Sequence, residues 1–256
     1  MSKSKTAIKI TAQEIVGLVD NFNLEEADRN ITDFADVYGD KMVPSLLKSL
    51  PPSVVGILVS EVATKPSSII GNLIDPQTFA SSFEELPKKW SKENSALATR
   101  DIEAVMLGIV MQTEDECTYP RAKELYKALA NKHDGEILAW WLWKYLPDVV
   151  SFAKNHKWQT VTKKDSFVLL TELTGDLEFE EELSMEEIPE DEDFKNDSSS
   201  QIYYPCPDEI RKCVELMPPD LLAKVVKIWS SWRKINENEA YCRILPRVVV
   251  TTQSAL

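Results

Sequence analysis

The amino-acid sequence predicts an all-α protein, an irregular stack of helical hairpins with proline-initiated helices, interrupted by a disordered acidic linker. Three observations predict it. Apolar residues recur three and four positions apart through most of the chain, the spacing of a helix buried on one face. Strand signals are sparse, confined to "TAIKIT" near the start, "RVVVTTQ" near the end and an ambiguous "KWQTVTKKDSFVLLTEL". A proline-bearing corner is written three times: "SLPPSVVGILV" from Ser49, "YLPDVVSFAK" from Tyr145 and "ELMPPDLLAKVV" from Glu215.

From the start, "TAIKIT" reads as a short strand or an arm, and "TAQE" as a capping box. There Thr11 caps a helix and Glu14 reaches back to its amide. Asn23 opens a second helix with Glu26 at the box position, and Gly39 ends it. Asp40 caps a short helix that stops at Leu50, before the first proline pair. Short helices follow over roughly 52–63, 67–74 and 77–85. The longest helix is expected at 95–112, with Leu97, Ile102, Val105, Met106, Ile109 and Val110 as a wide apolar stripe. Thr118 and Pro120 open the next, stopped by Gly135, and then come "EILAWWLWKYL" and "PDVVSFAKNHK". The segment ending at Gly175 is helix or strand on periodicity alone.

Each corner has the same physical content. Proline's fixed φ suits the first turn of a helix, where its missing N–H costs nothing. It also drives the preceding residue out of the helical region, so the previous helix stops there. Leu50 or Met217 tucks into the hairpin seam, and Val54-Val55, Val149-Val150 or Leu221-Leu222 starts the next buried face. Stacked hairpins of this kind build superhelical domains. The Leu-Pro-Pro corners resemble those in the helical repeats of magnesium-transporter regulatory domains and flagellar-motor switch proteins. The resemblance covers the corners alone and implies degenerate helical repeats, but the unequal separations of Pro51, Pro147 and Pro218 argue against a regular array.

The net charge of −13 is concentrated in one place. Residues 176–197, "DLEFEEELSMEEIPEDEDFKND", hold twelve acidic residues and one basic, so −11 lies here and −2 in the rest. Such a segment cannot bury enough apolar area to offset its ordering entropy. The division expected is a helical body over 1–175, an acidic linker over 176–201, and a C-terminal helical hairpin over 202–256. The hairpin is expected to pack on the body, a separate small domain being the alternative.

Catalytic signatures are missing. There is no G-x-S-x-G, H-E-x-x-H, P-loop or Rossmann glycine pattern, and only 7 glycines to build phosphate cradles. Four cysteines, Cys117, Cys206, Cys213 and Cys242, and two histidines, His133 and His156, offer no zinc spacing. They are read as free thiols, with Cys206–Cys213 the only disulfide worth naming. A Cys–His site is possible in composition but not favoured by spacing, and His133 fits a helix C-terminus. No catalytic residue, metal or cofactor is assigned. With no apolar run long enough to span a bilayer and no apolar core behind the basic start, the chain reads as cytoplasmic. No basic stripe supports direct binding of nucleic acid.

What remains points to protein–protein interaction. Leu177, Phe179, Leu183, Met185, Ile188 and Phe194 punctuate the acidic segment, the composition of a chain that engages a basic, grooved partner. The partner-binding residues expected are Phe179, Leu183, Met185, Ile188 and Phe194 as anchors, among Glu181, Glu182, Glu186, Glu187 and Asp191. Trp140 and Tyr145 are weaker candidates. In "AWWLWKYL" they point away from the face made by Ala139, Leu142, Trp143 and Leu146, towards more helices or a partner. The function expected is that of a non-catalytic adaptor or regulatory protein whose acidic segment contacts a basic partner. A second reading is a regulatory substrate or inhibitor, for example one sequestering a nucleic-acid-binding protein, controlled by cleavage or phosphorylation within 176–201. Ser184 before "MEE" is an acid-directed phosphorylation pattern. A third is an enzyme with an unrecognised Cys/His site. The terminal "TTQSAL" offers a minor PDZ-type or peroxisomal signal.

Overall fold

The computed structural model describes residues 2–111, 120–132, 135–159, 161–175, 205–232 and 235–245. The acidic segment with its ten anchor and carboxylate residues, Cys117, His133, "RVVVTTQ" and "TTQSAL" all lie outside the described residues. The described chain is 79% helical and contains no strand, so the all-α fold is established.

Helix α1 runs Ser2–Asp20 and α2 Leu24–Tyr38. A 3₁₀ turn, Asp40–Met42, leads into α3 (Val43–Ser49), α4 (Pro52–Glu61), α5 (Ile70–Leu73) and α6 (Pro76–Phe83). A second 3₁₀ turn, Leu86–Lys89, precedes α7 (Ser95–Val105), which widens into a π turn at Met106–Val110. Then come α8 (Pro120–Lys132), α9 (Glu136–Leu142), a 3₁₀ turn at Trp143–Tyr145, α10 (Leu146–Asn155) and α11 (Lys163–Thr174). The last three are α12 (Asp208–Glu215), α13 (Pro219–Trp232) and α14 (Glu237–Ile244).

Several expectations are corrected. "TAIKIT" is neither strand nor arm but the interior of α1, so Thr11 caps nothing. The reason is tertiary. Ala12, Ile15 and Val19 are buried, Ala7 and Ile8 continue the stripe against the core, and α1 packs on α2 and α3. Burial at helical spacing outweighs a local alternation. At the end of α1 the Asn23 N–H donates to the Leu18 carbonyl (2.8 Å) and the Phe22 N–H to that of Val19 (2.9 Å). This is a Schellman closure, with Phe22 at φ 57 where glycine is usual. Asn23 does sit before α2, but its side chain makes no capping bond, and Glu26 pairs with Arg29 at 2.9 Å. Asp40 opens a 3₁₀ turn instead of capping, after Gly39 (φ 86) ends α2.

The 95–112 helix is not the longest. Its α-helical part has 11 residues and α1 has 19. The π turn forms where the chain meets the loop after α4: a Cβ on Gly108 would lie 3.1 Å from the Thr64 carbonyl oxygen. A side chain there would push Thr64 back by a few tenths of an ångström, so the approach favours glycine. Ile102, Val105, Met106, Ile109 and Val110 are all fully buried, so the stripe itself is core. Gly135 (φ 90) stands immediately before α9, and residues 133–134, between it and α8, lie outside the described residues. The ambiguous segment before Gly175 is helix from Lys163 onward. The Thr162 hydroxyl accepts the Asp165 N–H (3.1 Å), and Gly175 (φ 68) closes the end.

The proline corners behave differently from one another. Pro52 and Pro219 begin α4 and α13, and Leu50 and Met217 are each 5% exposed in the seam. Leu50 is extended, at φ −79 and ψ 151. At the Pro147 corner Leu146 stays helical (φ −48, ψ −48) despite the following proline, and the break falls at Tyr145.

Trp140 and Tyr145 are only 3% and 6% exposed, which corrects their reading as partner anchors. The partner of Trp140 is internal: its ring lies 4.9 Å from that of Tyr241 on α14. Trp143 meets Trp229 edge-on at 6.4 Å and Trp232 at 5.8 Å, so the 3₁₀ turn after α9 shares an aromatic core with α13. Among the hydrogen bonds that stitch residues 205–245 to the earlier part of the chain are those that three ring side chains donate to backbone carbonyls. The Tyr126 hydroxyl donates to the Cys213 carbonyl (2.9 Å), the Trp229 indole N–H to that of Ala139 (2.8 Å), and the Tyr241 hydroxyl to that of Ser91 (2.8 Å). One apolar cluster runs from Ala12 to Ile244.

Candidate functional site

The acidic segment leaves the helical core at Gly175 and rejoins it at Pro205, and both attachment points are held. On the outgoing side, the Thr174 hydroxyl donates to the Leu170 carbonyl (2.9 Å) and lies 3.4 Å from that of Ser230 on α13. On the returning side, the Cys206 N–H donates to Asp148 Oδ2 at 2.9 Å. Asp148 is 5% exposed. A buried carboxylate that accepts a backbone N–H makes a charge-assisted bond, stronger than a neutral pair. Asp148 is the residue after Pro147 in the middle corner, and sequence reasoning gave it no role. The available signal was an acidic residue in an otherwise apolar "YLPDVV".

At this root lies an apolar cleft of about 270 Å³, lined by Phe152, Ala153, Leu173, Met217, Leu222 and Val226, with His156 and Glu215 on its rim. Two of the three proline-bearing corners therefore contribute to one cleft. His156 is exposed in the left-handed region (φ 54) at the end of α10, and the Phe152 ring stacks on Trp158 at 4.5 Å. Glu215 accepts the Trp158 indole N–H at 2.7 Å. The cleft can hold apolar side chains. Its one carboxylate is already engaged by an indole, not by a group that it could activate. Another cleft, of about 260 Å³ between α6, α8 and α9, carries Lys88 and Lys132 together with Glu84 and Glu136. Lys132 lies 3.7 Å from Glu84 and Lys88 is 2.7 Å from Glu85, so its charges are largely paired locally.

The described cysteines are free, which leaves the Cys206–Cys213 pair unformed. Burial pushes the Cys206 thiol up to about 12 from an ordinary 9.0, and the Asp148 carboxylate adds to the effect. Burial likewise pushes Cys213 up to about 12. A nucleophilic cysteine needs the opposite shift, because the thiolate is the reactive form. Among the described residues, no three His, Cys, Asp or Glu side chains gather as a metal site, and no helix is long and apolar enough to cross a membrane.

These thiols make a testable pH effect. Both folded-state pKa values are raised, so between pH 9.0 and about 12 the unfolded chain holds fewer protons than the native one. Stability therefore falls as pH rises through that window, and is untouched by these groups below it. Urea unfolding from pH 8 to 11 should show a steeper alkaline decline in the natural chain than in Cys206→Ala or Cys213→Ala. At pH 8, Cys206 and Cys213 should resist a thiol reagent until denaturant is added, while exposed Cys242 reacts. Rapid native-state labelling of Cys206 would contradict the assignment.

No protein-family model, curated protein or solved structure matches the chain.

Proposed function

We propose that the protein is a non-catalytic, cytoplasmic adaptor or regulatory protein, whose acidic segment over 176–201 contacts a basic surface on a protein partner. The observation that carries this reading is the placement of charge: −11 of −13 lies within residues 176–197. The clamps at Thr174 and Cys206 support it, because they fix where that charge leaves and rejoins an otherwise near-neutral helical core. Concentrated like charge accelerates encounter with an opposite surface, and the effect weakens as salt screens it. Phe179, Leu183, Met185, Ile188 and Phe194 then serve as apolar anchors, with Glu181, Glu182, Glu186, Glu187 and Asp191 setting orientation and rate. Tagged full-length chain and a variant lacking 180–196 are compared by pull-down at two salt concentrations. The expected result is a partner retained by the intact chain at low salt, reduced at high salt and lost from the deletion. An identical set of retained proteins for both chains would sink the reading.

A further inference from the structure

The net acidity of the chain makes one helix stand out. The first 13 residues contain Lys3, Lys5 and Lys9 and no acidic residue. Within α1, Lys5, Ile8, Lys9, Ala12, Gln13 and Val16, each three or four residues from another of the set, share one face and line one wall of a groove of about 420 Å³. Ser49, at the end of α3, lies on the other wall. Eleven residue steps along a helix span roughly 16 Å, three turns. The floor is apolar: Ala12 is buried, and Ile8 and Val16 are half-buried against the core. Lys5 and Lys9 are exposed, and neither has an ion-pair partner among the described residues.

We propose that this groove docks an acidic protein segment with apolar residues along one face. Half-buried apolar residues at helical spacing are what a helix-in-groove contact uses. Two unpaired ammonium groups on the same stripe select carboxylates over basic or neutral segments, since like charge is penalised. A lipid surface is the weaker reading, because α1 commits Ala12, Ile15 and Val19 to the core and leaves only a narrow, half-buried apolar strip, whereas a membrane-surface helix offers its whole apolar face. The surface lies on α1, on other residues than those at the root of the acidic segment, which are drawn from 148–156, 173–175 and 206–226. It gives the body a recognition site of opposite charge to that segment, independent of the partner proposed above.

The test uses a fluorescein-labelled peptide with the sequence of residues 176–197 as a defined acidic, apolar-punctuated probe. Its anisotropy is followed with the full chain, and with the chain lacking 180–196, where the protein's own segment cannot compete. Lys5→Gln/Lys9→Gln, Lys5→Glu/Lys9→Glu and Ile8→Ser are run in parallel, with folding of each checked by circular dichroism. Saturable binding to the deletion chain is expected, weakened at least tenfold by charge reversal, less by neutralisation, and also by Ile8→Ser. Weaker binding to the full chain supports the proposal by showing competition from its own segment. A dimer that the charge reversal converts to monomer supports it too, with a second copy supplying the segment. No binding to either chain, or binding indifferent to Lys5 and Lys9, overturns it. So does binding to vesicles containing phosphatidylserine that depends on the two lysines while peptide binding does not.

Discussion

Replacing Trp143 with alanine is expected to destabilise the protein by about 3–5 kcal/mol, the range for removing a buried aromatic side chain. For a chain of this size that lowers Tm by roughly 10 °C. Trp143 is 2% exposed, and its ring touches two others, Trp229 edge-on and Trp232 at a tilt. The side chain lies in the 3₁₀ turn between α9 and α10, while its aromatic neighbours lie on α13. Truncation therefore opens a void at the contact between the helices before the acidic segment and those after it. The surrounding helices cannot collapse fully into such a void, which is why the cost exceeds the transfer energy of the ring. Trp143→Phe should cost much less. Thermal and urea denaturation measure both. A change under about 1 kcal/mol for the alanine variant would mean that the tryptophan cluster is not what joins the two parts.

Neutralising the acidic segment should slow association without altering the fold. Glu181, Glu182, Glu186 and Glu187 changed to glutamine and Asp191 to asparagine remove five negative charges. At low salt, kon for the partner retained by the intact chain is expected to fall roughly 10- to 10³-fold, the scale of electrostatic steering. The dependence of kon on ionic strength should flatten at the same time. Phe179→Ala and Leu183→Ala should act differently, leaving kon nearly unchanged and raising koff, because apolar anchors hold a complex that charge has steered together. Surface plasmon resonance over a salt series separates the two. An unchanged kon after neutralisation would remove the charge from the mechanism, whatever the segment's apolar residues do.

Local chemistry decided much of what could be read in advance. The Asp75 side chain accepts the N–H groups of Gln77 and Thr78 at the start of α6, as an aspartate before proline should. Gly39 and Gly175 take positive φ where helices end, and Pro52 and Pro219 begin helices after buried Leu50 and Met217. These signals work because capping and proline geometry are settled within a few residues. The expected errors were of another kind. "TAIKIT" looked extended because alternation over six residues fits two periods, and the burial of Ala12, Ile15 and Val19 chose the helical one. Trp140 and Tyr145 looked free because their neighbours already filled one helical face. The 3₁₀ turn after Leu142 and the arrival of α14, a hundred residues later, gave Trp140 an internal partner.

The same division holds for function. By itself the sequence determined that the chain is helical, that its net charge sits almost wholly in residues 176–197, and that familiar catalytic spacings are missing, since charge and composition are sums needing no coordinates. Only the tertiary structure decided which surfaces remain open. It buried two of the three described cysteines and both aromatic candidates, and put Asp148 against the returning Cys206. It also left Lys5 and Lys9 beside an apolar floor on α1. Exposure depends on what distant segments cover, and distant contacts are written in no local stretch of sequence.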